Sequence, residues 1–415
     1  MNTDGSSIQE SKSTIAIDKQ GQYTTLIKRL SLLPCFKHQP VENATVIHTG
    51  LSQPCFHVKY GDNEYIVKYL INGSHELVAN KLVNEQGITA KLLYGEDNWL
   101  ITEFISGELL SSCSLEENEK LNAALLLLAQ CHRTPYKSAR IQVEPPHEVN
   151  TVTQQDDLTL AKTSELHSII SRLGVTTQRL DIPTLDIKET IVELLKSSQI
   201  SCYQSKKLIE ITTTSLQEIK QLTTAAGYIH QNVFCHGDAN FSNIINVKNT
   251  KKEIVDADNE INRSVNTSIS ANKNDSALQY SAAPYKLIDF ECSCIAPAQY
   301  DIAMMMAVNG IDISMTEVVT SLYSQHQQLV HQECSQLNSQ FKVGEEITKN
   351  YLPLEMLPID LSIKLVMRYY YLSLLINGAW YLSQYRQQKG IKYKVLAQQQ
   401  FLLLSKKYVD VDIDI

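Results

Sequence analysis

The sequence predicts an α+β fold in which a small lobe built on an antiparallel sheet precedes a larger, mainly helical lobe. Short β-prone runs and one helical stretch fill the region from Val46 to about residue 105. After Gly107 the sequence is mostly helical in pattern to about residue 408, apart from polar stretches near residues 137–200 and 248–284. The 415 residues, 43% of them hydrophobic and 20% charged, are enough for two lobes with a sizeable core.

The first lobe is predicted to span residues 21–105, after a disordered polar tail of residues 1–20. A helix in TTLIKRLSLL comes before strands in TVIHT, FHVKY and EYIVKYL. The turn-prone cluster GDN separates the last two strands and indicates a hairpin. The segment SHELVANKLVNEQG then predicts a helix that ends near Gly87, followed by strands in AKLLYGE and WLITEFI.

The second lobe is predicted to cover residues 106–415, with helices in EENEKLNAALLLLAQCH and SLQEIKQLTTAAGYIHQ. Residues 248–284 are rich in Lys, Asn, Asp and Ser and lack apolar periodicity. We therefore interpret them as a solvated, disordered insertion in a loop. The most apolar runs fall short of the roughly 20 residues that span a bilayer, so no membrane insertion is predicted.

Charge and cysteine content argue against several classes of partner and site. A net charge of −8 disfavours nucleic acid as the main partner, because nucleic-acid binding calls for clustered Lys and Arg. The N-terminus has neither a basic start nor an apolar core, so we expect no signal peptide. Nine cysteines without a CxxC pair favour reduced thiols and a cytoplasmic location. Cys292 and Cys294 lack the further nearby ligands that a zinc site needs.

The segment CHGDANFSN, followed later by LIDFE, contains the groups that phosphoryl transfer to a hydroxyl requires. Asp238 precedes Asn243 by five residues, the offset of the base and the Mg²⁺-binding Asn in a protein-kinase catalytic loop. Asp289 follows an apolar strand and matches the second Mg²⁺ ligand, the Asp of the DFG segment. Hard oxygen donors suit Mg²⁺. The alternative is a loop-stabilising turn at Asp238 and Asn243, with Asp289 as a helix cap.

These motifs resemble those of the aminoglycoside phosphotransferase and choline kinase superfamily, whose fold is similar to that of protein kinases. The resemblance runs from about residue 25 to residue 400. It implies a protein-kinase-like two-lobe fold that holds Mg-ATP between the lobes, with Asp238 as catalytic base and Asn243 and Asp289 as Mg²⁺ ligands. It also implies that His236 is a structural member of the loop. The segment DFECSCIAPAQYDIA resembles the choline and ethanolamine kinase branch, and thiamine kinases are close competitors.

The first lobe supplies the residues predicted to bind the nucleotide. Lys68 lies in EYIVKYL much as the kinase lysine lies in its own strand, and Glu76 begins the next helix, where it can pair with Lys68. Both residues can equally be solvated surface charges. Lys59 and Lys81 fit the pattern less well.

Backbone groups complete the predicted nucleotide site. The loop HTGLSQP carries a single glycine, and its N–H groups near Ser52 are predicted to meet phosphate. The segment ITEFISGE resembles the linker between kinase lobes. That resemblance implies that backbone groups from Glu103 to Ile105 meet the adenine.

Residues of the second lobe are predicted to bind the substrate. Glu291 lies next to a predicted Mg²⁺ ligand and would attract a cation. Trp380 can stack on a quaternary or thiazolium cation for about 0.5–2 kcal/mol, although its apolar segment also fits a core position. His132 is interpreted as a buried structural histidine. Asp301 precedes the apolar segment IAMMMAV and is interpreted as a helix cap.

The sequence therefore predicts an ATP-dependent kinase that phosphorylates a hydroxyl of a small, cationic molecule. Choline or ethanolamine is the first candidate, thiamine the second and an aminoglycoside the third. The alternative from another class is a catalytically silent nucleotide-binding pseudokinase, against which the intact set of Asp238, Asn243 and Asp289 argues. The oligomeric state is left open.

Overall fold

The structure is a computed structural model that describes most of the chain. The described residues are 23–36, 41, 43–47, 53–71, 75–96, 98–136, 182–228, 231–248, 284–340, 356–387 and 389–408. The predicted tail of residues 1–20, the loop around Ser52 and most of the predicted insertion lie outside these ranges. Within the described ranges, no helix combines the length and apolar character needed to cross a membrane.

A five-stranded antiparallel sheet, in the order β1-β2-β3-β5-β4, forms the first part of the fold. Its strands are β1 (Asn43–Val46), β2 (Cys55–Tyr60), β3 (Asn63–Tyr69), β4 (Leu92–Glu96) and β5 (Trp99–Glu103). The predicted hairpin is confirmed, and Gly61 adopts a positive φ of 60° in its turn. Helix α1 (residues 23–30) turns Leu26 and Leu30 inward, where they pack with Phe56 and Trp99 in one apolar core.

Helix α2 (Glu76–Asn84) follows β3 and connects the sheet with the rest of the molecule. Its buried residues Ala79 and Val83 belong to the larger core of the second lobe, not to the core beneath the sheet. The predicted stop is confirmed, since Gly87 follows the helix with a φ of 70°. Because α2 packs on the second lobe, the lobe boundary at residue 105 stays a prediction.

Helices form most of the second part of the fold. They are α3 (Glu117–Cys131), α4 (Ile187–Ser197), α5 (Cys202–Ala225), α6 (Ala298–Val308), α7 (Thr316–Gln340), α8 (Ile359–Arg386) and α9 (Ile391–Ser405). The long apolar helix α8 packs against α4, α5, α6, α7 and α9, which explains why its residues are buried on most sides. An antiparallel sheet followed mainly by helices confirms the predicted α+β fold.

Short strands in the helical part flank the motif residues. They are β6 (Gly107–Leu109), β7 (Asn232–Cys235), β8 (Ile244–Val247), β9 (Tyr285–Leu287) and β10 (Cys294–Pro297). β7 pairs with β10, and β6, β8 and β9 form a three-stranded sheet. The loop between β7 and β8 contains Asp238 and Asn243, and Asp289 follows β9. The N–H of Val247 donates to the carbonyl of Pro284 (2.5 Å), so the two ends of the β8–β9 connection lie side by side.

Candidate active site

The loop after β7 is held in place by the buried carboxylate of Asp301. This carboxylate accepts hydrogen bonds from the backbone N–H groups of His236 (2.8 Å) and Gly237 (2.9 Å), and from Nε2 of His132 (3.0 Å). Helix α6 begins at Ala298, so the predicted helix-cap role of Asp301 is wrong. The carboxylate orders the loop between β7 and β8, whose bonded residues are 64 and 65 positions away in the sequence.

A hydrogen-bonded chain of buried side chains supports Asp301. Gln327 Nε2 donates to the hydroxyl of Tyr323, and that hydroxyl meets Nδ1 of His132 (2.6 Å). Burial by itself raises the pKa of Asp301, but the bonds from His132 and the backbone outweigh it and hold that pKa below its ordinary value. His132 is fully buried, as predicted.

We expect Asp301→Asn to lower the free energy of unfolding by about 3 kcal/mol, because hydrogen bonds to a buried charge are lost and an amide has only one oxygen to accept them. The matched control is Asp312→Asn. Asp312 also accepts a backbone N–H, that of Ser314, but from an exposed helix start, where Asn caps as well as Asp. Urea unfolding of both variants measures the difference. Equal, small effects would contradict the anchoring role.

His236 and Gly237 set the path of the loop. The ring of His236 accepts the N–H of Asp238 at Nδ1 (3.2 Å) and lies with Nε2 3.1 Å from the carbonyl of Ile288, which defines a neutral ring with its proton on Nε2. Burial lowers the pKa of His236 and keeps it neutral. Gly237 has a φ of 78°, and a Cβ there would collide with the carbonyl oxygen of Cys292. Both residues therefore act structurally.

Asp238 and Asn243 lie in direct contact. Nδ2 of Asn243 donates to the backbone carbonyl of Asp238 (3.0 Å) and to its Oδ2 (3.1 Å). Burial, followed by the nearby negative charge of Asp289, raises the pKa of Asp238 to about 7, although the bond from Asn243 opposes the shift. A carboxylate with a pKa near neutrality suits a general base.

Lys68 joins the first lobe to the motif. Its Nζ lies 2.8 Å from Oε1 of Glu76 and 2.7 Å from Oδ1 of Asp289. The lysine lies on β3 and Glu76 begins α2, so the predicted pair meets where the strand and the helix come together. Burial alone lowers the pKa of Lys68, but the two carboxylates outweigh it and hold that pKa above its ordinary value. Lys68 is therefore charged and lies between two carboxyl groups, of which the buried Glu76 has a pKa raised by burial to about 7.

Asp289 takes an unusual backbone conformation beside Asn243. Its φ is 65°, in the left-handed region that non-glycine residues seldom adopt. The preceding N–H, that of Ile288, donates to the carbonyl of Asn243 (2.9 Å) and ties the two segments together. This conformation aims the Asp289 carboxylate at Lys68 and at the cleft between the lobes.

A cavity of about 550 Å³ opens on the sheet side of these residues, and we call it the nucleotide cavity. Lys68, Glu76 and Asp289 lie on its wall with the linker residues Glu103 and Ile105. The rest of the wall is largely apolar: Ile47, Cys55, Ile66, Ala90, Leu100, Leu109, Ile245 and Ile288. An apolar slot that ends at charged groups suits a flat ring joined to a charged tail.

A second cavity, of about 540 Å³, opens on the helical side at Asp238, and we call it the acceptor cavity. Its charged lining consists of Asp186, Asp238, Asp289 and Glu291, and no lysine or arginine is found among the described residues that line it. Aromatic residues also line it: Tyr300, Trp380, Tyr381 and Tyr393. The two cavities share three wall residues, Ser242, Asn243 and Asp289, and therefore meet at the predicted metal ligands.

The shared wall has the donor set that Mg²⁺ prefers. Asn243 and Asp289 offer amide and carboxylate oxygens, and the backbone bond between their segments keeps them adjacent. Nδ2 of Asn243 is engaged by Asp238, so the amide oxygen is the atom left to bind a metal. The residues therefore fit a magnesium ion at the point where the cavities meet.

The structure brings most predicted site residues together. Those lining one or both cavities are Lys68, Glu76, Glu103, Ile105, Asp238, Asn243, Asp289, Glu291 and Trp380. Ser52 lies outside the described residues. Cavity residues that the sequence did not reveal include Asp186 at the start of α4 and Tyr393 on α9. No local motif marks them, because only tertiary packing brings these two helices to the cavity.

Solved structures that match this chain include two kinases and one phosphotransferase. An ethanolamine kinase of Plasmodium vivax is 16% identical, with 87% of this chain and 81% of that chain covered and a TM-score of 0.47. The choline kinase LicA of Streptococcus pneumoniae is 14% identical, with 91% of this chain and 96% of that chain covered and a TM-score of 0.49. A spectinomycin phosphotransferase, solved in complex with ADP and spectinomycin, is 12% identical, with 92% of this chain and 93% of that chain covered and a TM-score of 0.41.

The sequence also matches the model of one protein family. No curated protein matches the sequence significantly. The family model described as choline/ethanolamine kinase matches residues 60–405, a span that includes Lys68, Asp238, Asn243 and Asp289. The members of this family are phosphotransferases that act on small molecules. The chain therefore belongs to the choline/ethanolamine kinase family.

Proposed function

We propose that this protein transfers the γ-phosphate of Mg-ATP to the hydroxyl of a small organic cation, with choline or ethanolamine as the preferred acceptor. The acceptor cavity carries the proposal. Its wall combines Asp238 with further carboxylates and aromatic rings, and no lysine or arginine is among its described lining residues. A cation is attracted to such a cavity, and an anion is repelled.

The proposed step uses the groups of the shared wall. The acceptor oxygen forms a bond to the γ-phosphorus while the bond from that phosphorus to the β,γ-bridging oxygen breaks, and its electron pair leaves with ADP. The proton of the acceptor hydroxyl passes to the Asp238 carboxylate. Magnesium, when bound, offsets the negative charge of the phosphates. Lys68 adds a fixed positive charge next to Asp289, and Asn243 orients both Asp238 and the metal site.

Three rings on α8 and α9 give the acceptor cavity an aromatic wall, defined as Trp380, Tyr381 and Tyr393. Their ring centroids are 5.3 Å (Trp380–Tyr381), 6.0 Å (Trp380–Tyr393) and 6.4 Å (Tyr381–Tyr393) apart. Burial, followed by the Asp238 carboxylate, raises the pKa of Tyr381 to about 12, so its ring stays neutral. Ring faces attract quaternary ammonium groups, which favours choline within the cationic class.

The other ionisable groups that line the acceptor cavity also favour a cationic acceptor. Burial lowers the pKa of His75, so this ring adds no positive charge at pH 7. Glu291 and Asp186 lie on the wall apart from the reacting carboxylate. A primary ammonium such as that of ethanolamine can donate hydrogen bonds to these oxygens. The volume of about 540 Å³ also accommodates thiamine, which belongs in the test.

The test measures ADP release from Mg-ATP with choline, ethanolamine, thiamine and an aminoglycoside as acceptors. The matched control is 3,3-dimethylbutan-1-ol, which has the shape of choline with a carbon atom in place of the charged nitrogen. We expect transfer to choline or ethanolamine and at least a 10-fold lower kcat/KM for the neutral alcohol. Equal use of the neutral alcohol would overturn the cation preference. Nucleotide binding without transfer to any acceptor would identify the pseudokinase alternative.

Trp380→Leu is expected to raise the KM for choline by about 2- to 30-fold, because a cation–π contact contributes about 0.5–2 kcal/mol. The residue is 40% exposed, so we expect the substitution to have little effect on folding. Trp380→Phe keeps a ring and should retain part of the affinity. The KM for ATP and the use of the neutral alcohol should stay unchanged. A parallel rise in the KM for the neutral alcohol would show that Trp380 acts through shape alone.

The cellular location is proposed from the cysteines. All eight that the structure describes are free thiols, which agrees with the predicted reducing, cytoplasmic environment.

A further inference from the structure

The start of α9 lies where the two cavities meet. Lys392 lines the nucleotide cavity, and the next residue, Tyr393, lines the acceptor cavity. Nζ of Lys392 lies 5.0 Å from the centroid of the Tyr393 ring. Because the ammonium is beside a ring of the acceptor cavity and its own side chain lines the nucleotide cavity, the charge lies at the boundary between them.

The wall of the nucleotide cavity has more carboxylates than lysines, so a second cation would favour the binding of a polyphosphate. Among the described residues lining this cavity, the charged ones are Lys68, Lys392, Glu76, Glu103 and Asp289. Lys68 is already bonded to two carboxylates, at 2.8 Å and 2.7 Å. The polyphosphate of a nucleotide would therefore enter a cavity in which carboxylates outnumber lysines. A second cation at its end lowers the electrostatic cost of binding this tail.

Lys392 is available for such a contact. Its side chain is exposed, and no ion pair joins it to a carboxylate within the described ranges. Its contact with the Tyr393 ring is weak, because the ammonium is exposed to water. A charge-assisted hydrogen bond to a phosphate oxygen is stronger than such a ring contact. A bound polyphosphate would therefore draw the ammonium away from the ring.

We propose that Lys392 binds the terminal phosphate of the nucleotide from the acceptor side of the cleft. This assignment rests on the proposed function for the identity of the nucleotide as ATP. Lys68 holds its charge on the sheet side, next to Asp289, whereas Lys392 adds one from the helical side. The departure of the ammonium from Tyr393 also exposes that ring face to the acceptor cation and removes a like charge from its vicinity.

The test compares the binding of ATP, ADP and AMP to the parent protein and to Lys392→Gln by calorimetry with Mg²⁺ present. We expect the Kd of ATP to rise about 10-fold or more, that of ADP to rise less, and that of AMP to stay unchanged. Lys392→Arg keeps a cation and should restore ATP binding. The matched control is Lys394→Gln, because Lys394 lies two positions further along α9, against the Tyr385 ring, and lines neither cavity.

Two results would overturn the assignment: unchanged ATP affinity in Lys392→Gln, or a loss of AMP affinity as large as the loss of ATP affinity. Nucleotide binding needs no acceptor, so this outcome is separate from that of the acceptor panel. A parent protein that binds ATP but phosphorylates no acceptor would refute the proposed function and leave the Lys392 result standing. Conversely, transfer to choline with no phosphate dependence in Lys392→Gln would refute only the role of Lys392.

Discussion

Asp238→Asn is expected to lower kcat by about 10²–10⁴-fold, the usual contribution of a general base, while making the folded protein more stable above pH 7. In the folded state the pKa of Asp238 is raised to about 7, above its unfolded value near 4. The stabilising contribution of the protonated carboxyl is therefore full below about pH 4 and is lost as pH rises through about 7. The asparagine can still accept the hydrogen bond from Asn243 and carries no buried charge.

The measurement is urea unfolding of the parent protein and of Asp238→Asn at pH 5 and pH 8. We expect a gain of about 1–3 kcal/mol at pH 8 and a smaller gain at pH 5, where the parent carboxyl is already protonated in the folded state. In the parent, kcat/KM should fall as pH drops below about 7. A variant that keeps transfer activity, or loses stability equally at both pH values, would contradict the assignment of Asp238 as a buried base.

Lys68→Met is expected to have the largest effect on stability, about 3–5 kcal/mol, because it leaves a buried carboxylate without its partner. The side chain of Glu76 is 2% exposed, whereas that of Asp289 is 16% exposed and faces the cavity, so most of the cost comes from Glu76. Transfer activity should fall about 10²–10³-fold, since a fixed positive charge at the reaction site is lost.

The double variant Lys68→Met/Glu76→Gln separates these two effects. Replacing both partners removes the unpaired charge, so we expect most of the stability to return and the activity to stay low. The matched control is Lys59→Met, since Lys59 pairs with Glu64 on the surface and is 57% exposed. That change should alter stability by less than about 1 kcal/mol. A double variant with restored activity would remove Lys68 from the chemistry.

The sequence predicted the parts of the site that depend on short spacing. Asp238 and Asn243 are close in the chain, and the strand–helix order of Lys68 and Glu76 brings that pair together. Asp289 could be assigned because its apolar strand identifies the segment. Local patterns of this kind survive folding because each is formed by one loop or by two adjacent elements.

The sequence did not predict contacts between segments that lie far apart in the chain. Asp301 precedes an apolar run, which favours a cap, but its partners belong to a loop 64 and 65 positions away. The acceptor cavity is similar, since Asp186, Trp380 and Tyr393 come from three helices that packing alone brings together. Trp380 could be singled out only because the chain has two tryptophans. Neighbouring Tyr381, equally part of the aromatic wall, had no such distinction.

The bond between Val247 and Pro284 makes the β8–β9 connection a convenient place for a reporter. The two ends of this connection lie side by side. The entropic cost of closing a flexible loop grows only slowly with its length, by about 0.6 kcal/mol per doubling, so a longer connection is tolerated. Both strands adjoin predicted Mg²⁺ ligands, since β8 follows Asn243 and β9 precedes Asp289. A fluorophore or a small domain inserted between them would therefore be attached to the two segments that contain the predicted metal ligands, with little loss of folding stability.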